Sequence, residues 1–216
     1  MIISDNMLSK PYSHRFFGEI QEIDILSIEP SSFHNCRNIN QIVIDTLANS
    51  IKQHGLIQPI VVRPLDYRFE IVAGCRRYIA CKSLNWKKIP CHIVHLNDIQ
   101  TFEMALVENI QRESLSPLEE SKSFKMYVLD KGWGSISDLS FKIGKSPCYI
   151  TKRISLLDLP LDVKQSIENA ELKPSLAEEL LAIKDPERQS QLAEMLLKRR
   201  LTTMKARELV RRSILL

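Results

Sequence analysis

The chain has no C-x-x-C pair, and its five cysteines (Cys36, Cys75, Cys81, Cys91, Cys148) are odd in number. A disulfide framework and a zinc site are therefore not expected, and a reducing cytoplasm fits best. No apolar core follows a basic start at the N-terminus, which argues against a signal peptide. No uninterrupted apolar run approaches a membrane span, so no membrane partner is expected. Internal repeats and low-complexity tracts are missing. A large excess of one charge is missing too: 30 basic and 26 acidic residues leave +4. That is too mild to identify a polyanion partner, so the distribution of charge matters more than its total.

What is present is a packable globular composition. Over 216 residues, 44% are hydrophobic and 26% charged. That length suits one large domain or two small ones, with little room for disorder. Residues 1–18 are polar and irregular and read as a flexible arm. From residue 19 to 98 strand and helix patterns are mixed. "EIQEIDILSI" (19–28), "PIVVRP" (59–64), "YRFEIVA" (67–73) and "KIPCHIVHL" (88–96) read as strands. "NQIVIDTLANSIKQHG" (40–55) and "RYIACKSLN" (77–85) read as helices. Beyond residue 98 the pattern is helical to the end. "DIQTFEMALVENIQRES" (98–114) is one helix and "SPLEESKSFKMYVLDKG" (116–132) another. Ser116 is the N-cap of the latter, Pro117 its first residue and Glu119 the partner in a capping box. Gly134, Gly144, Pro160, Pro174 and Pro186 break the rest into short helices. The expected fold is α+β: a small mixed α/β domain at 19–98, connecting helices at 99–132, and an all-helical domain at 133–216.

"SISDLSFKIGKSPCYITKRISLLDLP" (135–160) has helix-turn-helix anatomy. Leu139 and Ile143 bury one face of the first helix, and Gly144 supplies the turn. Ser146 caps the second helix and Pro147 opens it. Ile150, Ile154 and Leu157 form the inner face of the second helix. Cys148, Tyr149, Thr151, Lys152 and Arg153 are expected on its outer face, where they suit base edges or phosphates in a major groove. The same spacing also describes an ordinary helical hairpin with a solvated face. "GKS" at 144–146 mimics the end of a P-loop, but Leu139 stands where that motif needs its first glycine. Lys198–Leu216 carries seven basic residues against one acidic, either a phosphate-tracking tail or a solvated helix face.

Two further stretches invite anions. In "AGCRRYIA" (73–80) a strand turns into a helix at Gly74, offering backbone N–H groups and the forked donors of Arg76 and Arg77. In "ALVENIQRE" (105–113) Glu108 and Asn109 offer hard oxygens suited to Mg²⁺, and Arg112 suits phosphate. Spacing alone favours an i,i+4 surface ion pair for Glu108 and Arg112.

Taken together, "HGLIQPIVVRP", "EIVAGCRRYIACKSLNWKKIPCHIV", "ALVENIQRESLSPLEESKSF" and the helix-turn-helix resemble, in that order, ParB/Noc-type DNA-partitioning proteins. The resemblance covers about residues 19–213. It implies a ParB/sulfiredoxin-like domain that binds CTP with Mg²⁺, and a helix-turn-helix that loads on a palindromic, centromere-like site in double-stranded DNA. It also implies a CTP-dependent clamp, self-association on DNA, a ParA-type ATPase as partner, and a cytoplasmic place on a nucleoid or plasmid. Carried over by motif, Gln58, Gly74, Arg76, Arg77, Glu108, Asn109 and Arg112 are the nucleotide residues. Glu108 and Asn109 handle the metal, and Glu108 is the residue tied to slow CTP hydrolysis. Lys145, Ser146, Cys148, Tyr149, Thr151, Lys152 and Arg153 fall in the DNA-reading segment.

The departures are specific. Cys75 replaces the Glu of the family's Gly-Glu-Arg-Arg turn, and Ile79 a second Arg. "LKPSLAEELLAIKDP" (172–186) replaces a stretch with Gly-His-Ala-Arg and places Glu178 where a basic residue would favour DNA. The chain ends before the usual C-terminal dimerisation domain, as expected of a fragment or of a shorter relative that dimerises another way. "GCRR" also resembles the Gly-Cys-His-Arg turn of sulfiredoxin, with Arg76 in place of His. A helix-terminal thiol beside two arginines is expected to be reactive. The alternatives are thus an ATP-dependent thiol enzyme using Cys75, or a related transcription regulator with a vestigial pocket. The simplest account of Cys75 is a small turn residue without chemistry, and Cys81, Cys91 and Cys148 read as buried or incidental.

Overall fold

A computed structural model of the chain describes residues 19–31, 41–112, 115–199 and 203–214. The arm expected over 1–18 lies outside them. The chain divides into two compact units, one running to Ala105 and the other starting at Leu106. The 99–132 segment expected to connect two domains is itself divided at that point.

The first unit is built on a five-stranded sheet. Its strands are β1 (Ile20–Asp24), β2 (Ile28–Pro30), β3 (Ile60–Leu65), β4 (Arg68–Ala73) and β5 (Lys88–Ile93), in the order β1-β5-β3-β4-β2. β1 runs antiparallel to β5 and β3 antiparallel to β4, while β3–β5 and β2–β4 are parallel. The single strand expected at 19–28 is cut by a 3-10 turn at Ile25–Ser27, because the Asp24 carboxylate accepts from the Leu26 N–H at 2.9 Å. Helices α1 (Gln41–His54) and α2 (Cys75–Ser83) cover the sheet. Ile44, Ala48 and Ile51 of α1 bury the apolar stripe seen in the sequence, packed with Ile60, Val62, Ile71, Ala80 and Ile89.

Arg63 and Glu70 are paired across β3–β4 and both buried. Arg63 Nε donates to Glu70 Oε2 at 2.6 Å, and Nη2 lies 2.6 Å from Asp98 Oδ1 at the start of α3 (Asp98–Gln111). Each buried charge in this triad is matched by hydrogen-bonded opposite charge, which a low-dielectric site requires.

The second unit is helical. α4 (Pro117–Lys125) begins with the expected capping box, Ser116 Oγ accepting from Glu119 N and Glu119 returning to Ser116 N. It continues as a π-helical turn at Met126–Asp130. α5 (Ile136–Ile143) and α6 (Pro147–Ser155) follow, joined by Gly144 at φ +67°. α7 (Leu161–Glu168), α8 (Pro174–Leu180), α9 (Pro186–Arg199) and α10 (Thr203–Ile214) complete it. Leu156, Val163, Ile167, Leu172, Leu180, Leu196 and Val210 share a core of their own. Among the described residues no helix is long and apolar enough to cross a membrane.

Candidate nucleotide and nucleic-acid site

The turn at Gly74 starts α2 two residues earlier than expected. Gly74 takes φ +97°, a left-handed geometry that disfavours any side chain, and a Cβ there would meet Ile60 and Arg77 at 3.0 Å. As N-cap it offers no side-chain oxygen to the start of α2. Arg76 is exposed there. Arg77 is placed differently: its Nη1 donates to the carbonyls of Gln58 at 2.9 Å and Pro59 at 2.7 Å. The guanidinium thus ties the α2 turn to the segment that enters β3, through the backbone carbonyls of Gln58 and Pro59.

Cys75 is disulfide-bonded, which corrects the expectation of five cysteines without a disulfide. An odd count and the lack of C-x-x-C spacing do not prevent a bridge. It also removes the thiol on which the sulfiredoxin-like alternative depended. Cys81 and Cys91 are free and buried, whereas Cys148 is free and exposed. Burial pushes the Cys81 thiol up to about 11 and, with the Glu22 and Cys81 charges adding to burial, Cys91 up to about 12. Neither is a nucleophile at neutral pH.

The residues expected around a nucleotide divide between the two units. Gln58, Gly74, Arg76 and Arg77 lie in the first; Glu108, Asn109 and Arg112 lie in the second. Glu108 Oε1 lies 3.1 Å from Arg112 Nη2, the i,i+4 pair anticipated from spacing. Among the described residues no cluster of three His, Cys, Asp or Glu side chains is arranged to hold a metal. Glu108 and Asn109 fit an ion that takes its remaining ligands from phosphate and water, as Mg²⁺ commonly does.

α6 presents its residues in two groups. Lys145, Ser146, Cys148, Thr151 and Lys152 are exposed. Tyr149 and Arg153 are not on the outer face where the sequence placed them. Tyr149 Oη donates to Glu120 Oε2 at 2.7 Å, and Arg153 Nε donates to the same oxygen at 2.9 Å. Only 14% of the Arg153 side chain and 11% of Glu120 are exposed. The guanidinium also stacks over the Tyr149 ring at 4.8 Å, and that ring meets Phe124 edge-on at 6.3 Å. Burial, reinforced by the hydrogen bond to Glu120, raises the Tyr149 phenol pKa. The outward turn of these two side chains is lost because α4 supplies a buried carboxylate that both can reach. A cavity of about 220 Å³ opens beside this cluster and is lined by Asn109, Pro117, Lys145, Tyr149 and Arg153, among others. Asn109 of the expected nucleotide set and three residues of the expected DNA set therefore share one pocket.

Sequence reasoning missed the acidic partners. Glu120 shares a helix face with buried Phe124, four residues on, which is the available signal for an inward carboxylate. Glu178 pairs with Lys152 at 3.3 Å and with Arg153 at 3.7 Å. Its neighbour Glu179 grips Arg207 of α10 through two bonds, 2.6 and 3.0 Å long. That fork holds the Glu179 carboxyl below its usual pKa. The basic tail is thus partly neutralised within the unit, for Lys198 pairs with Glu194 and Arg212 with Glu208 as well.

Comparison with known proteins supplies the lineage. Residues 13–110 match the model of the ParB N-terminal domain, and residues 113–214 match that of the ParB HTH domain. The nucleoid occlusion protein of Shouchella clausii (strain KSM-K16) is 35% identical over 193 residues, 89% of this chain and 68% of that protein. The chain belongs to the ParB/Noc family. The nucleoid occlusion protein of Bacillus cereus (strain B4264) is 34% identical over 195 residues, covering 90% of this chain and 67% of that protein. The C-terminally truncated chromosome-partitioning protein ParB from Caulobacter crescentus, solved in complex with the centromeric parS site, superposes with a TM-score of 0.69. It shares 28% identity over 89% of this chain and 99% of its own. The expected α+β architecture, a ParB-type α/β domain followed by a helical part, is the one observed.

Proposed function

We propose that this ParB/Noc family member is a double-stranded-DNA-binding protein of partition or nucleoid occlusion, with CTP and Mg²⁺ as the ligands that switch its grip on DNA. The observation that carries the reading is α6. It is capped by Ser146, opened by Pro147 and packed through Ile150, and it leaves Lys145, Ser146, Thr151 and Lys152 exposed along one end. That presentation suits entry into a major groove. The relatedness to nucleoid occlusion proteins and to a ParB bound to parS supports the same class of partner.

In this reading Arg76 and the start of α2 bind phosphate, and Arg77 positions the turn by holding the Gln58–Pro59 carbonyls. Glu108 and Asn109 would hold Mg²⁺, which would neutralise phosphate charge. The Glu108 oxygen that does not pair with Arg112, and the remaining N–H donors of Arg112, would serve the metal and the phosphate. Glu108 is the residue on which slow CTP hydrolysis would depend. Self-association on DNA and a ParA-type ATPase partner belong to the same proposal, with a place on a nucleoid or plasmid.

Calorimetry with the four nucleoside triphosphates, with and without a panel of palindromic duplexes, tests it. Mg²⁺-dependent binding of CTP in preference to ATP is expected, with strong weakening in Arg76→Ala. Equal binding of all four nucleotides, or none, would remove the CTP assignment. Thr151→Ala should cost about 1–3 kcal/mol of site-specific DNA binding. If Thr151→Ala and Lys152→Ala both leave DNA affinity and selectivity unchanged, α6 is not the reading helix.

A further inference from the structure

Lys152 stands at a boundary. It is on the exposed side of α6, with 48% of its side chain open to solvent, yet its ammonium rests 3.3 Å from a carboxylate of α8. That carboxylate, Glu178, is largely covered, at 16% exposure, and its other oxygen lies 3.7 Å from Arg153 Nη1. The two cations differ in what they can do. Arg153 is also held by Glu120 and stacked on Tyr149, so it is fixed in place. Lys152 has a flexible stem and an open side, so it can exchange Glu178 for a ligand in solvent. α8 itself is anchored, since Glu179 holds Arg207 in a two-bond fork and Leu176, Ala177 and Leu180 are buried. Glu178 is therefore presented to α6 by a rigid element.

We propose that Glu178 is a positioning residue that sets DNA selectivity: it restrains Lys152 and withholds one positive charge from polyanions that do not dock fully on α6. The proposal rests on the DNA-binding reading and adds a residue and a direction to it. Non-specific binding is almost entirely phosphate electrostatics, so cancelling one cation at the face weakens it directly. A cognate duplex, held by further base and phosphate contacts, can draw Lys152 off the carboxylate. The result is a larger ratio of specific to non-specific affinity at some loss of absolute affinity.

The test compares the full chain with Glu178→Gln, Lys152→Ala and the double variant. The probes are a random-sequence duplex titrated across salt concentrations and a heparin column. Gln keeps the shape of Glu178 but loses the charge that faces Arg153 as well as Lys152, so cooperative thermal melts, with any small shift noted, serve as the folding control. Glu178→Gln should tighten random-duplex binding about threefold and steepen its salt dependence by about one ion. Both gains should largely vanish in the Lys152→Ala background. A gain of equal size in both backgrounds would mean a generic charge effect and would overturn the proposal, as would no gain at all. If no variant binds the duplex, the DNA-binding reading fails on its own. The heparin arm then decides on Glu178: later elution that depends on Lys152 supports it, and elution independent of Lys152 overturns it.

Discussion

At the scale of single residues, the decisive chemistry is in pairs that sequence spacing does not reveal. Glu120 lies 29 residues from Tyr149 and 33 from Arg153, yet one of its oxygens serves both. Glu120→Ala would strand a mostly buried guanidinium and is expected to cost about 2–3 kcal/mol of stability. Glu120→Gln, which keeps an acceptor, should cost less; equal losses in urea unfolding would show that the charge, and not the acceptor, carries the whole effect. Cysteine labelling makes a second prediction. Without reductant, iodoacetamide should modify Cys148 and spare buried Cys81 and Cys91, with Cys75 labelled only after reduction. Native labelling of Cys75, read by peptide mass, would contradict the disulfide.

At the scale of elements, much was legible. The starts of α4 and α6 and the end of α5 follow from Ser116, Pro117, Ser146, Pro147 and Gly144, because caps and turns act on their own neighbours. Strands β3, β4 and β5 follow from β-branched runs. The turn into α2 was legible at Gly74, while the apolar pattern alone started the helix two residues late, because its opening residues carry no periodic signal. The inward turn of Tyr149 and Arg153 was illegible because it depends on which distant helix packs against α6. Gly144→Ala tests the local part: nothing crowds that site, so the cost is the left-handed backbone alone, about 1 kcal/mol. A loss several times larger would point to packing instead. The α8–α10 junction carries a pH signature. The Glu179 carboxyl is held below its usual pKa, so its contribution is complete above the ordinary carboxylate range. It is lost as pH falls through the depressed value, where the group protonates. The stability gap between the chain and Glu179→Gln should therefore shrink on acidification, and a gap that widens would reverse the assignment.

For the whole molecule, two separate cores imply two separable stabilities. Ile71 is fully buried in the first core and Leu180 in the second. Ile71→Ala should destabilise its own unit by about 3 kcal/mol, read as faster hydrogen exchange in β3, β4 and β5, while α7 and α9 keep their protection. Loss of protection in both units would show a single cooperative body. The residues that the motifs assign to a nucleotide are divided between these units, a division that a linear motif list does not reveal. The sheet edges have another consequence. β2, at one edge, is three residues long and ends in Pro30, which has no N–H to offer, while β1, at the other, shows Gln21, Glu22 and Asp24 to solvent. Neither edge is a template for a further strand. Copies of the chain crowded together would then resist fusing into a continuous cross-strand fibre through these edges.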